Sequence, residues 1–364
     1  MAVENQNSRA FRSYEKKNIV IGGFELKNIK LLSLIFCLCL LLTACEKGMV
    51  ENKSNNYSSG YSDIISAPQI SISETVSSEQ EILTQSEPTQ AVMPETVNAS
   101  KTVAVTGELQ SDKYSEKISE LQNILNGYSR NISLSVYAID GSKALYYNTE
   151  AEIFGACTVK AAYTLYACKQ MEAGNGSLSV PLTYEEKHYE SGTGDMQYSP
   201  FGTVFTMETA LHKSMSISDN VGYLMSVDYF GRDGYNEFIS ELDCDSLQIK
   251  PTVWSLRTKS QDLVKLWCEI YNYFQTDTEY SRFLYQSCTN TAGNYATAAL
   301  SGVDYSHKQG HNSTGDWLSL SDAGIVWKGD TPYIIAILTD APGPSSYDAG
   351  IFAQIINIVH NDLF

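Results

Sequence analysis

The chain has 364 residues, 43% of them hydrophobic and 18% charged, with a formal net charge of −17. That composition is globular, with length for one large domain or two small ones. An acidic surface with no basic run repels nucleic acid, so nucleic-acid binding is excluded as a role.

Lys27 and Lys30 precede an apolar run, Leu31 to Leu42. The run is too short to span a bilayer comfortably and has the form of a signal-peptide core. It closes on "LTAC", Leu42 to Cys45, which resembles the lipobox of bacterial lipoproteins. The resemblance implies cleavage after residue 44, lipid on Cys45, and an extracytoplasmic, membrane-anchored location. Residues 45–110 are rich in Ser, Thr, Asn, Gln and Glu, with sparse, unperiodic apolar positions. Such a segment cannot offset its ordering entropy and is expected to be a disordered tether.

One core is expected over residues 111–364. "SEKISELQNILNG" places Ile118, Leu121, Ile124 and Leu125 at helical spacing. "NISLSVYAIDGSKALYYN" alternates, turns at Asp140–Gly141 and alternates again, as a hairpin does. A helix is expected over residues 157–173, ended by Gly174 and Gly176. A polar, Gly-containing region follows, then helical spacing in "TMETALHKSMSIS", "NVGYLMSVDYFG" and "SQDLVKLWCEIYNYF". Three strand-like runs, "VDYSHKQ", "SLSDAGIVW" and "YIIAILTD", precede a last helix ending at Phe364. The expected class is α+β: a five-stranded antiparallel sheet built from both chain ends, flanked by helices, with a mostly helical insertion.

Five cysteines follow Cys45: Cys157, Cys168, Cys244, Cys268 and Cys288. Their odd number and irregular spacing argue against a disulfide framework. No CxxC and no His pair at ligand spacing occurs, so neither a metal nor a cofactor is expected.

Three short motifs stand in order: Cys157-Thr158-Val159-Lys160, Ser218-Asp219-Asn220 and Lys308-Gln309-Gly310. On a helix, residues three apart share a face, which puts the Cys157 thiol beside the Lys160 amine. A neutral lysine takes the thiol proton; a charged one stabilises the thiolate. Each motif also has a plainer reading. Cysteine packs as a small apolar residue, "SDN" caps a helix, and a strand lysine is commonly just exposed.

Together the motifs resemble the S-x-x-K, S-D-N and K-T-G elements of the class A β-lactamase and penicillin-binding protein superfamily. The resemblance implies that Cys157 is the nucleophile and that Ser218 passes a proton between Lys160 and the leaving nitrogen. It implies that Asn220 orients the substrate or the lysine. Lys308, Gln309 and Gly310 then line a substrate carboxylate site, and the backbone N–H groups of Cys157 and His311 form an oxyanion hole. One such donor is worth roughly 3–4 kcal/mol in the transition state.

Three departures qualify this. Cysteine replaces the family's serine, and Gln309 replaces its hydroxyl residue. The stretch Leu242–Leu263, where the family carries a water-activating glutamate, has none; Asp243 and Asp245 are its nearest carboxylates. The implied activity is an acyl-enzyme hydrolase or acyltransferase, slow to deacylate, acting on a β-lactam or a D-Ala-D-Ala-like cell-wall peptide that bears a carboxylate. The alternative is an inactive lipoprotein that only binds such a molecule. A glutaminase-type enzyme sharing S-x-x-K fits less well, because the signal and tether point outside the cell.

Overall fold

The computed structural model describes residues 90–364, apart from 251–255, 290, 292–295, 297–298 and 344. The expected signal segment and the tether as far as residue 89 lie outside these residues.

Six strands form the main sheet: β1 (Ala104–Gly107), β2 (Ile132–Ala138), β3 (Lys143–Tyr147), β8 (Asp304–Asn312), β9 (Ser319–Trp327) and β10 (Tyr333–Thr339). Their order is β1-β3-β2-β10-β9-β8, and every neighbouring pair is antiparallel. Both chain ends therefore build one sheet, as the hairpin patterns predict. The expected hairpin turn is present: Gly141 takes φ 74°, and Ser142 N–H donates to Asp140 Oδ1 at 2.9 Å. The sixth strand, β1, is a correction. It falls within the stretch expected as tether, yet it pairs with β3 along Ala104–Gly107. Upstream of it, the backbone N–H groups of Ala91 and Val97 donate to Asn272 and Gln261 of the long helix described below.

Central strands β2 and β10 are buried along their whole length. A strand covered on both faces reads as a continuous apolar run, which "YIIAILT" does. One face packs under α1 (Ser115–Gly127), through Leu121 and Leu125, and under α8 (Ser346–Ile358), through Phe352, Ile355 and Ile356. The other face carries a larger cluster built on α2 (Lys160–Glu172) and α6 (Ser260–Phe274). The same cluster takes in α3 (Met207–Ser216), α4 (Asn220–Phe230), α5 (Asp233–Glu241) and α7 (Glu279–Thr289). Leu263, Leu266, Trp267 and Ile270 of α6, predicted to share one face, are all fully buried.

Two small ladders shape the helical side. Strands β4 (Ile153–Phe154) and β7 (Arg257–Thr258) pair just before Cys157. Strands β5 (Pro181–Thr183) and β6 (Val204–Thr206) enclose a polar loop. Edge strand β8 passes close to the turn that holds Cys157. A Cβ on Gly310 would lie 2.0 Å from Gly155 O and 3.1 Å from Cys157 N, so only glycine allows this approach. Gly310→Ala is expected to lower stability by about 1–3 kcal/mol, because an added methyl in a close-packed contact forces the backbone apart. Urea unfolding at an unchanged slope measures this.

Candidate active site

The residue pattern predicts a helix from 157, but Cys157 lies in a 3-10 turn, Ala156–Val159, and the α-helix begins at Lys160. The difference tightens the intended geometry, since side chains three apart eclipse in a 3-10 turn. Ala156 is held at φ 46°, a left-handed conformation that is strained for a residue with a side chain. This strain sits immediately beside the thiol.

Ser218-Asp219-Asn220 divides its work by residue. Ser218, at φ 58°, links α3 to α4. Asp219 is the helix cap: its Oδ1 accepts from Gly222 N–H at 2.9 Å and its Oδ2 from Met196 N–H at 2.9 Å. The capping reading is therefore right for Asp219, while Ser218 and Asn220 turn to the lysine. Lys160 Nζ donates to Ser218 O at 2.6 Å and to Asn220 Oδ1 at 2.7 Å. Lys308 Nζ donates to Ser218 Oγ and, at 3.1 Å, to Gln309 O.

The motifs thus converge on one sulfur. Lys160 and Lys308 are fully buried, and Cys157, Ser218 and Asn220 are each less than a tenth exposed. Burial, the largest influence on Cys157, opposes its ionisation. The charges of Lys160 and Lys308, with hydrogen bonds from Lys160 and Ser218, outweigh it and bring the thiol below its ordinary range. Burial also lowers Lys160, and it lowers Lys308 to about 8. The other described cysteines behave oppositely. Burial pushes Cys168, Cys244, Cys268 and Cys288 up, as expected of structural thiols.

A cleft of about 510 Å³ opens over Cys157, lined also by Phe154, Asn220, His311 and Trp317. The ring of Trp317 is 46% exposed and meets Phe154 edge-on at 5.4 Å. These aromatics escaped the sequence reading, since no spacing marks them. Of the residues expected at the site, Cys157, Asn220 and His311 line the cleft, whereas Lys160, Ser218, Lys308, Gln309 and Gly310 are not among its lining. Lys308 is fully buried and donates to Ser218 Oγ, and its charge also bears on Cys157. Gln309 pairs with Asp322 on the face of β8 opposite Lys308, and its Oε1 is buried without a partner among the described residues. The alternating side-chain directions of a strand require this.

In the stretch 242–263, Asp243 carboxylate pairs with Lys265, and Asp245 Oδ1 accepts from Ser240 and Gln248. Neither lines the cleft.

A buried thiol, two lysines and a bridging hydroxyl at one cleft, on this sheet-and-helix frame, define a protein of the acyl-enzyme class. The model of the β-lactamase enzyme family matches residues 116–363, and the chain belongs to that family of hydrolases. Solved structures share the fold. PBP-A is 20% identical with a TM-score of 0.60, covering 66% of this chain and 94% of its own. A β-lactamase from Sphaerobacter thermophilus is 15% identical with a TM-score of 0.58, covering 68% and 96%. A class A β-lactamase from Bacteroides cellulosilyticus is 18% identical with a TM-score of 0.59, covering 69% and 98%. A search of curated protein sequences finds no match.

The charges predict a pH profile. With its pKa lowered, Cys157 stays thiolate at pH values where an ordinary thiol is protonated. Alkylation by neutral iodoacetamide should therefore rise to its plateau at lower pH than for a free cysteine. Reaction with an anionic acylating agent should in addition fall as pH rises through about 8, where Lys308 loses its proton. Rates measured from pH 5 to 10 separate the two.

Proposed function

We propose that this protein is an acyl-enzyme hydrolase whose nucleophile is Cys157 and whose substrate is a β-lactam or a D-Ala-D-Ala-like cell-wall peptide. The observation that carries this is the convergence of Lys160, Ser218 and Lys308 on the one described cysteine held below its ordinary pKa. In this reading Lys160 takes the thiol proton, and the sulfur adds to the amide carbonyl carbon. The backbone N–H groups of Cys157 and His311 serve as donors to the oxyanion. As the C–N bond breaks, the proton passes from Lys160 through Ser218 to the leaving nitrogen. Asn220 orients Lys160, and Lys308 keeps the Ser218 hydroxyl turned to the site while adding attraction for a substrate carboxylate. The thioester then reacts with water to return the thiol and release a carboxylic acid. PBP-A, which shares the fold, has a variant crystallised as an acyl-enzyme complex with penicillin G, a precedent for that neighbour and a reason to test the compound here.

Intact mass measurement tests the nucleophile. Incubation with benzylpenicillin should add the compound's full mass to the parent and nothing to Cys157→Ala. An equal adduct on both proteins would reject Cys157. No adduct on the parent would favour a binder of cell-wall fragments.

We further propose, from the sequence alone, that Cys45 carries lipid and that residues beyond it tether the domain outside the cell membrane. Cys45→Ala should lose incorporated radiolabelled palmitate and move from the membrane to the soluble fraction. Unchanged labelling would overturn the anchor.

A further inference from the structure

The polar region between α2 and α3 contains a short strap, residues 190–194, laid across the Ser218–Asn220 turn. Asn220 Nδ2 donates to Ser191 O at 3.1 Å, and Asn220 N–H donates to Thr193 O at 3.3 Å. Thr193 Oγ1 donates to Ser218 O at 2.6 Å, the same carbonyl that holds Lys160. On the outer side, Gln197 Nε2 donates to Gly192 O and Gly194 O at 2.9 and 2.8 Å. The strap's glycines are needed for this contact. Gly194 has φ 96°, and a Cβ there would lie 2.1 Å from Asp219 Oδ2. The strap is therefore a rigid part of the site.

Its first residue is Glu190, half-buried, and the only carboxylate lining the Cys157 cleft among the described residues. Its backbone is held one residue away by the Asn220 contact. Its charge is near enough to Lys160 to favour the ammonium form there. We propose that Glu190 is the base that activates water to clear the Cys157 acyl-enzyme. This rests on the acyl-enzyme reading above. It assigns a function that the stretch 242–263 leaves empty, and places it on a different segment.

The Glu190 carboxylate takes a proton from water as the water oxygen bonds to the thioester carbonyl carbon. The tetrahedral intermediate collapses, the C–S bond breaks, and the sulfur departs as thiolate beside Lys160 and Lys308. The acid product ionises, and Glu190 returns its proton to solvent. A thiolate held below its ordinary pKa is a good leaving group, so the demanding part of the step is delivering the water.

The test follows the life of the adduct. The parent, Glu190→Gln, Glu190→Asp and Glu190→Ala are loaded with benzylpenicillin and freed of excess compound, and adduct mass is followed with time. Thermal unfolding is recorded alongside to confirm that each variant is folded. Loss of a general base predicts an adduct lifetime longer by roughly 10²-fold in the Gln and Ala variants, whatever the rate of loading. Asp should recover part of the difference, and added formate should shorten the lifetime in the Ala variant. Lifetimes equal to the parent's would overturn the assignment while leaving the acyl-enzyme intact. So would a parent adduct that never clears. A change confined to loading would assign Glu190 to substrate selection instead. No adduct on the parent would remove both readings together.

Discussion

Lys160 and Lys308 bring two ammonium groups into one buried space, and the hydrogen bonds described for them run to oxygens of Ser218, Asn220 and Gln309. Burying one charge without compensation is costly, and burying two like charges together is worse. A thiolate at Cys157 relieves both. A serine alkoxide would do so far less readily, since a hydroxyl ionises at much higher pH. The cysteine is thus chemically consistent with its surroundings, and the thiol and the two amines form one coupled unit.

Everything that holds this unit is local geometry imposed by the larger frame. The 3-10 turn aims the sulfur and Lys160 the same way. Gly310 lets β8 approach the turn, and alternation along β8 then sends Lys308, rather than Gln309, toward Ser218. Asp219 secures the start of α4 through Gly222 and the segment just after the strap through Met196, both with one carboxylate.

The parts of this site legible in the sequence were those with short, regular spacing. Cys157 and Lys160 are three apart, Ser218 and Asn220 flank a cap, and Lys308 stands in a strand-like run. The sheet was legible because β2, β3, β9 and β10 are apolar or alternate clearly. Strand β1 was not: its four residues are half-buried or exposed and lie in a Ser/Thr-rich stretch, so neither periodicity nor composition marks it. The strap was invisible for a related reason. Its carbonyls do the work, and "ESGTG" as a string is indistinguishable from an ordinary loop. Gln309 stands apart: it was assigned by motif position, and it is not among the residues that line the cleft, although His311, two residues on, is.

Strand β2 forms its ladder with β10, and Cys157 depends on the charge of Lys308, which stands 308 − 157 = 151 residues further along the chain. Contacts so distant along the chain form late, because loop closure must precede them. A chain that has not yet formed the β8 edge lacks one of the two lysine charges that lower Cys157, and Lys160 alone remains beside it. The full lowering of the thiol therefore waits on completion of the sheet.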